Sequence, residues 1–529
     1  MQNVTIKLII EELFRTYSHI ILIIKRGIPM LTVNELAKFW GVSERWVTQM
    51  CRSGKIAGAV KEGRSWKIPD NADRPKDLRI KTGKFTKAAA QSDARLLPLP
   101  VGISDYVKVQ KEYYYVDKTL LIRDILDKKP YVSLFLRPRR FGKTLNMDML
   151  RVFFEKADYD TSVYFSDKNI WKCGKDYQDY QGRYPVISLT FKDVKYPDWK
   201  SSRQKIAHIL QAEFDRHRQV LEGETLSRKQ KEYFEKILNA EASDIELSAA
   251  LEYLTAMLDA YYGVAPIIII DEYDTPIEQG YAKGFYKEVT GFMRNFFSGG
   301  FKDNPHLSFG FMTGILKFAQ GSLFSGLNNL RVHSMIDKDY ASYFGFTEEE
   351  VQKLLEYYHL GNKYREIRKW YDGYLIGDTT IFNPWSIISY VDDGCTPDTY
   401  WVSTGNNAIL DDILKNATND ISTRMNNLLQ GSAVLAPLDS GVTYPMSTTD
   451  PSHMYSFLLA TGYLKAKRKG ISGTGNMICE LSIPNKEIST VYRAKVLSHL
   501  QQAGKISQNS VNAIQGALIS DGDDVLTKA

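Results

Sequence analysis

Cysteine is scarce in this chain and scattered where it occurs. Cys51, Cys173, Cys395 and Cys479 are the only four in 529 residues, and no CxxC or Cys/His ligand spacing joins them. That pattern argues against a disulfide framework and a structural zinc site, and for a reducing compartment. The eight histidines are equally dispersed, so none stands out as a metal ligand. Long apolar runs are missing too. The N-terminal clusters Leu8 to Ile10 and Ile20 to Ile24 are separated by a stretch holding Glu11, Glu12 and Arg15, and neither approaches the roughly 20 residues of a membrane helix. No small-residue cleavage site follows them. A cytoplasmic protein with no membrane partner is therefore expected. Residues 1–29 themselves are doubtful as translated sequence: Lys25-Arg26-Gly27 can be encoded by a purine-rich ribosome-binding stretch just ahead of Met30.

The net charge of +6 is unevenly placed. Between Met30 and Ala90 thirteen Lys and Arg stand against six Asp and Glu, an excess of +7 that leaves −1 for the rest. A basic module ahead of a near-neutral body is the footprint of nucleic-acid contact. Its pattern supports that. Asn34 is placed to cap a short helix carrying Leu36 and Phe39 inward, Gly41 turns the chain, and Ser43 caps a second helix that ends at Gly54. Ala57 to Val60 and Ser65 to Ile68 then flank Glu62-Gly63 as a two-stranded wing. Residues 30–69 resemble the MerR-like and excisionase-type winged helix-turn-helix family. The resemblance implies a recognition helix presenting Arg45, Thr48, Gln49 and Arg52 to double-stranded DNA, with Arg64 and Lys67 of the wing on the backbone. Val42, Val47, Met50 and Trp66 read as core, and a module used only for protein contact stays open. Residues 70–97 are polar, basic and aperiodic, and read as a linker.

The length allows two or three domains, and the rest of the chain is organised around Tyr131 to Leu150. An apolar run, Tyr131 to Leu136, gives way to Arg-Pro-Arg-Arg-Phe and then to Gly142, Lys143 and Thr144 at the start of a helix-like segment. A glycine there lets main-chain N–H groups approach an anion. The lysine reaches terminal phosphates, the hydroxyl ligates Mg²⁺, and the helix N-terminus favours negative charge. Only half of G-x-x-x-x-G-K-[ST] is present, because Arg137 stands where the first glycine falls. Taken alone, the triplet also fits a surface turn.

A second stretch, Ala265 to Gln279, bears on that choice. Ile267 to Ile270 predict a parallel strand buried on both faces, and Asp271 and Glu272 follow at its C-terminal end, where open α/β sheets bind ligands. Asp271 suits the Mg²⁺ shell and Glu272 the orientation of an attacking water. The two strands are expected to be neighbours, bringing Lys143 and Asp271 to one ATP–Mg²⁺ complex.

Val101-Gly102-Ile103-Ser104-Asp105, Asp117-Lys118-Thr119, Arg137 to Thr144 and Ile270 to Pro276 together resemble the bacterial AAA-ATPase-like family. Its members are often fused to a PD-(D/E)XK nuclease-like domain. The resemblance implies an α/β P-loop NTPase core over residues 98–320, a helical lid over 321–420 and a C-terminal α/β region over 421–529. It implies ATP contact by Arg140, Phe141, Gly142, Lys143, Thr144 and Leu145, and a γ-phosphate-sensing role for Thr313, with Lys317 in reach. A hydroxyl capping the next helix is the alternative for Thr313. Arg137, Arg139 and Arg140 would supply charge to the phosphates, or pair with neighbouring acids. Thr347 with Glu350 predicts a capping box, and the aromatics of Trp370-Tyr371-Asp372-Gly373-Tyr374 and Asn383-Pro384-Trp385-Ser386 are assigned to packing, with adenine stacking as the alternative. After Ser520 only DGDDVLTKA remains, without the carboxylate and Glu-x-Lys strands of a nuclease, so that domain is expected to be missing. An ATPase switch coupled to DNA binding, with a homo-oligomer possible, is the leading expectation. A DNA-binding regulator, or a nuclease-system fragment, built on an inert ATPase scaffold is the alternative.

Overall fold

The computed structural model describes residues 30–40, 44–53, 56, 58–63, 65–69, 72, 96–318, 324, 327–401, 424, 427–438, 451–473 and 476–493. The chain divides into two units, Met1–Ala94 and Arg95–Ala529.

In the first unit, β1 (Met30–Thr32) leads into α1 (Val33–Trp40) and α2 (Glu44–Arg52), followed by β2 (Val60–Glu62) and β3 (Ser65–Pro69). The sheet is three-stranded in the order β1-β3-β2, so the wing has a third strand that the sequence pattern did not reveal. Thr32, not Asn34, opens α1. Its main-chain N–H donates to Glu35 Oε2 at 2.8 Å while the Glu35 N–H returns to Thr32 Oγ1 at 3.4 Å, the reciprocal pattern of a capping box. Asn34 instead donates its side-chain amide to Glu44, joining the two helices. Leu36, Val47, Cys51, Ile56 and Ile68 form the core with Trp66 and Met50 packed against it. Phe39, expected inside, is 49% exposed, whereas Leu36 and Ala37 fill the helix interface. Gly41, Val42, Ser43, Gly54 and Ala57 lie outside the described residues.

The second unit is built on a five-stranded parallel sheet, β4 (Val132–Leu136), β5 (Val186–Thr190), β6 (Ile267–Asp271), β7 (Phe309–Gly314) and β8 (Leu330–His333), in the order β5-β6-β7-β4-β8. Period-two alternation explains the isoleucine run: Ile268 and Ile270 join one apolar cluster, Ile267 and Ile269 the opposite one. On the first face pack α4 (Trp199–Arg216), α5 (Ala250–Tyr262), α6 (Thr275–Lys283) and α7 (Tyr286–Phe301). On the other lies α3 (Lys143–Phe154), the helix that follows β4. The expected adjacency of the lysine-bearing and acid-bearing strands does not hold, because β7 runs between β4 and β6.

β8 joins the sheet edge from residues beyond 320. Next come α8 (Glu348–Tyr357), α9 (Tyr364–Tyr371), the hairpin β9 (Tyr374–Ile376) and β10 (Thr379–Ile381), and α10 (Pro384–Asp392). The Thr347–Glu350 capping box is formed. Glu350 is also bound by the buried Lys118 at 2.6 Å, which ties the Asp117-Lys118-Thr119 segment to this helical layer. The antiparallel sheet β11 (Val434–Leu438), β13 (Met477–Ser482) and β12 (Lys465–Ile471), in that order, packs with α11 (Pro451–Ala460). Its apolar cluster includes Phe141 and Trp401, so this C-terminal part rests on the Arg137–Thr144 loop. Asp521 to Ala529 lie outside the described residues, and no described helix is long and apolar enough to cross a membrane.

Candidate functional site

The Arg137–Thr144 loop leaves the C-terminal end of β4 and closes at Gly142, whose φ of 79° puts it in the left-handed region that glycine enters without strain. Arg140 (φ 67°) and Glu272 (φ 53°) share that conformation. Left-handed non-glycine residues tend to cluster where a backbone is held for a purpose. Lys143 is 6% exposed, and its ammonium donates to the carbonyls of Arg137 and Pro138, both at 2.9 Å. Burial lowers its proton affinity, while Glu272, Asp271 and Asp274 oppose that shift.

Two threonine hydroxyls meet on Asp271. Thr144 Oγ1 donates to Asp271 Oδ2 at 2.8 Å, and Thr313 Oγ1 donates to Oδ1. Thr313 also accepts the Glu272 N–H at 3.3 Å. It therefore sits at the tip of β7 between loop and acids and caps no helix among the described residues. Burial raises the pKa of Asp271, and the hydrogen bonds from Thr313 and Thr144 counter it. Glu272 accepts from Thr275 Oγ1 at 3.4 Å. Among the described residues no group of three His, Cys, Asp or Glu could hold a metal ion. Mg²⁺ in phosphate sites needs only one or two protein oxygens beside the phosphates, and the Thr144–Asp271 pair fits that donor set.

A cavity of about 480 Å³ opens over this arrangement. Its lining combines Arg139 to Leu145 of the loop with Glu272 and Glu278, and it includes the apolar side chains of Val101, Ile103, Tyr114, Phe346 and Ile388. Asp271 and Thr313 are buried and not part of the lining, but Asp271 is reached from it through Thr144. Lys317 is not part of its lining and faces a smaller cavity with Ser334, Met335 and Leu438. The three loop arginines diverge. Arg137 is fully buried, its guanidinium donating to the carbonyls of Leu136, His333 and Ser334 and facing the Phe344 ring. It braces β4 against β8 through main-chain carbonyls rather than an acid, and it is not part of the cavity lining. Arg139 approaches Glu278 at 3.8 Å. Arg140 stacks 4.2 Å over Trp385, and that ring lines the cavity.

Sequence reasoning missed Asp274, whose Oδ2 accepts the N–H groups of Ile315 (2.6 Å) and Leu316 (3.0 Å) and so ties α6 to the end of β7. It missed Glu278 as well, one helical turn further on. Their spacing in Asp274-x-x-x-Glu278 was the available signal.

In the first unit, Arg45 and Arg52 are exposed on α2. Thr48 is half-buried, with its hydroxyl on the Glu44 carbonyl at 2.8 Å. Positions 45, 48, 49 and 52 share one helix face by their spacing. Nothing of the Gln49 side chain is described and Arg64 lies outside the described residues, while Lys67 is half-buried on the central strand β3, registered between Thr32 and Val60.

A parallel sheet with a glycine-lysine-threonine loop at one strand end and a carboxylate reaching that threonine from another defines a P-loop NTPase-like core, here in a chain that also holds a helix-turn-helix module. The core is of a particular kind: residues 100–324 match the family described as predicted AAA-ATPase, and residues 30–71 match a helix-turn-helix domain family. The chain thus contains an AAA-ATPase-like domain and an excisionase-like helix-turn-helix domain. A relative from Azotobacter chroococcum mcd 1, described as an uncharacterized protein in the vnfD 5' region, is 29% identical over 320 residues. That alignment takes in 60% of this chain and spans about half, 56%, of the relative.

Proposed function

We propose that this protein is an ATP-hydrolysing switch that binds double-stranded DNA through its N-terminal module. The observation that supports it most is the Thr144–Asp271 hydrogen bond of 2.8 Å, because it joins the buried carboxylate to a hydroxyl that lines the same cavity as Lys143. In this reading Lys143 exchanges its loop carbonyls for β- and γ-phosphate oxygens, and Thr144 and Asp271 hold Mg²⁺. When bound, Mg²⁺ supplies charge neutralisation between the β- and γ-phosphates. Glu272 orients the attacking water, and Thr313 keeps Asp271 and the Glu272 main chain in register. Main-chain N–H groups at the start of the Lys143–Phe154 helix add their positive end. The base packs against the apolar side chains of Ile103, Tyr114, Phe346 and Ile388, and Arg140 on Trp385 conveys loop movement to α10.

Phosphate release from ATP, measured with and without double-stranded DNA on wild type and Lys143→Ala, tests the reading. Hydrolysis abolished in the variant supports it. Equal ATP affinity and hydrolysis in both would sink it. A second reading, an inert scaffold serving a DNA-binding regulator, is favoured by one observation: Lys143 and Asp271 are already satisfied by neighbouring protein groups. Wild-type protein that binds ATP and releases no phosphate would select that reading.

A further inference from the structure

The loop places three arginines in four residues, and two have fixed side chains. Arg137 is buried against carbonyls and Arg140 lies on Trp385. Arg139 is different. Its side chain is 44% exposed in the cavity, and its contact with Glu278, Nη2 to Oε2 at 3.8 Å, is at the outer limit of an ion pair. Partly exposed pairs of that kind hold their partners weakly, so the guanidinium can leave at little cost. Its main chain, by contrast, is held: the Trp401 indole N–H donates to the Arg139 carbonyl at 3.0 Å. A fixed base and a loosely held cationic end, lining the same cavity as Lys143 and Glu272, describe a short swinging arm. The charges of Arg139 and Lys143 already sense one another, since Arg139 contributes to lowering the lysine's proton affinity.

We propose that Arg139 is an arginine finger supplied in cis, which leaves Glu278 and donates to the γ-phosphoryl oxygens as the phosphoryl group transfers. The step is ordinary hydrolysis. A water oxygen bonds to the γ-phosphorus while the bond to the β–γ bridging oxygen breaks, that electron pair leaves on ADP, and the water's proton passes to the product phosphate. Negative charge shifts during this step onto the bridging and γ-oxygens, where a planar, permanently charged donor is worth most. Glu278 acts as the resting place of the arm and touches no phosphate. This inference rests on the ATPase reading above.

Arg139→Ala and Arg139→Lys are compared with wild type and Lys143→Ala in three measurements: ATP affinity with Mg²⁺, single-turnover phosphate release, and affinity for ADP with aluminium fluoride. For Arg139→Ala, ATP affinity is expected to stay within about three-fold, while turnover falls on the order of 10²–10³-fold and the tight ADP–aluminium fluoride complex no longer forms. Free guanidinium should restore part of the turnover of Arg139→Ala, and Arg139→Lys should remain impaired. Because Trp401 binds the main-chain carbonyl, neither substitution removes that tether, and an unchanged melting temperature checks folding. Turnover and aluminium fluoride binding equal to wild type would overturn the arginine's role alone. Wild type that neither binds nor hydrolyses ATP would overturn the ATPase reading and the inference with it.

Discussion

Trp401 and Glu487 meet in the interior, the main-chain N–H of the tryptophan donating to Glu487 Oε1 at 2.6 Å. The second oxygen of Glu487 accepts from Ser386 Oγ of α10 at 2.9 Å, and the Trp401 indole reaches the Arg139 carbonyl. One fully buried carboxyl thus stands between the Arg137–Thr144 loop, the helical layer and the C-terminal part. Gly462 adds to the contact, lying so close to Pro138 that a Cβ would come within 2.9 Å of the ring.

Glu487 makes this junction sensitive to pH. Burial pushes its pKa from 4.5 up to about 7, so the folded state binds a proton more readily than the unfolded chain. Its contribution is fully present below the unfolded value and disappears as pH rises through about 7, on the order of 1–3 kcal/mol in all. Glu487→Gln is neutral throughout. The stability difference between wild type and this variant, from denaturant melts on the order of one to two pH units either side of neutrality, should shift against wild type at the higher pH; a difference constant with pH would contradict the assignment.

Trp401→Phe keeps an aromatic ring and removes the N–H. A destabilisation of about 1 kcal/mol is expected, with ATP-dependent protection of residues 451–473 from proteolysis reduced. Wild-type protection in the variant would separate the C-terminal part from the loop.

Asp271→Asn should weaken Mg²⁺-dependent ATP binding by at least about ten-fold and leave Mg²⁺-free binding nearly unchanged. Thr144→Ala should act in the same direction, because it removes the other proposed ligand. Titrations with and without Mg²⁺ distinguish this from a general loss of fold.

Gly373→Ala tests the packing of the aromatic segment. Gly373 has φ 124°, and a Cβ would overlap the Pro484 carbonyl oxygen. A destabilisation of about 2–4 kcal/mol is expected, read as a lowered urea midpoint.

Arg45→Ala with Arg52→Ala should reduce affinity for double-stranded DNA by about ten-fold or more and flatten the salt dependence by about one unit of slope for each phosphate that the variant leaves unneutralised. Filter binding across a salt series measures both. Affinity and slope equal to wild type would leave the module to protein contact.

What could be read in the sequence lay close to its own strand. The isoleucine run, the acids at its end and the Gly142-Lys143-Thr144 triplet are each local, and period-two burial turns such a run into a central strand. Strand order leaves no such trace. β7 between β4 and β6 follows from how the helices cover the sheet, and so Thr313 bridges what looked like direct neighbours. The Trp401–Arg139 contact spans 262 residues and has no periodicity to betray it. Phe39 was misplaced for a different reason. Apolar residues are not all needed inside, and Leu36 and Ala37 already occupy the interface. The surroundings of Arg137 are just as hidden from the sequence, because two of the three carbonyls that accept its guanidinium belong to His333 and Ser334.

Glu272 holds a left-handed main chain, φ 53°, at a cost of about 1 kcal/mol or more for a residue with a side chain. Glycine there would relieve it. A selection for thermal tolerance alone should therefore drift toward glycine at 272 and discard the carboxylate, and a natural lineage that keeps the acid despite that pull would be one in which turnover still matters.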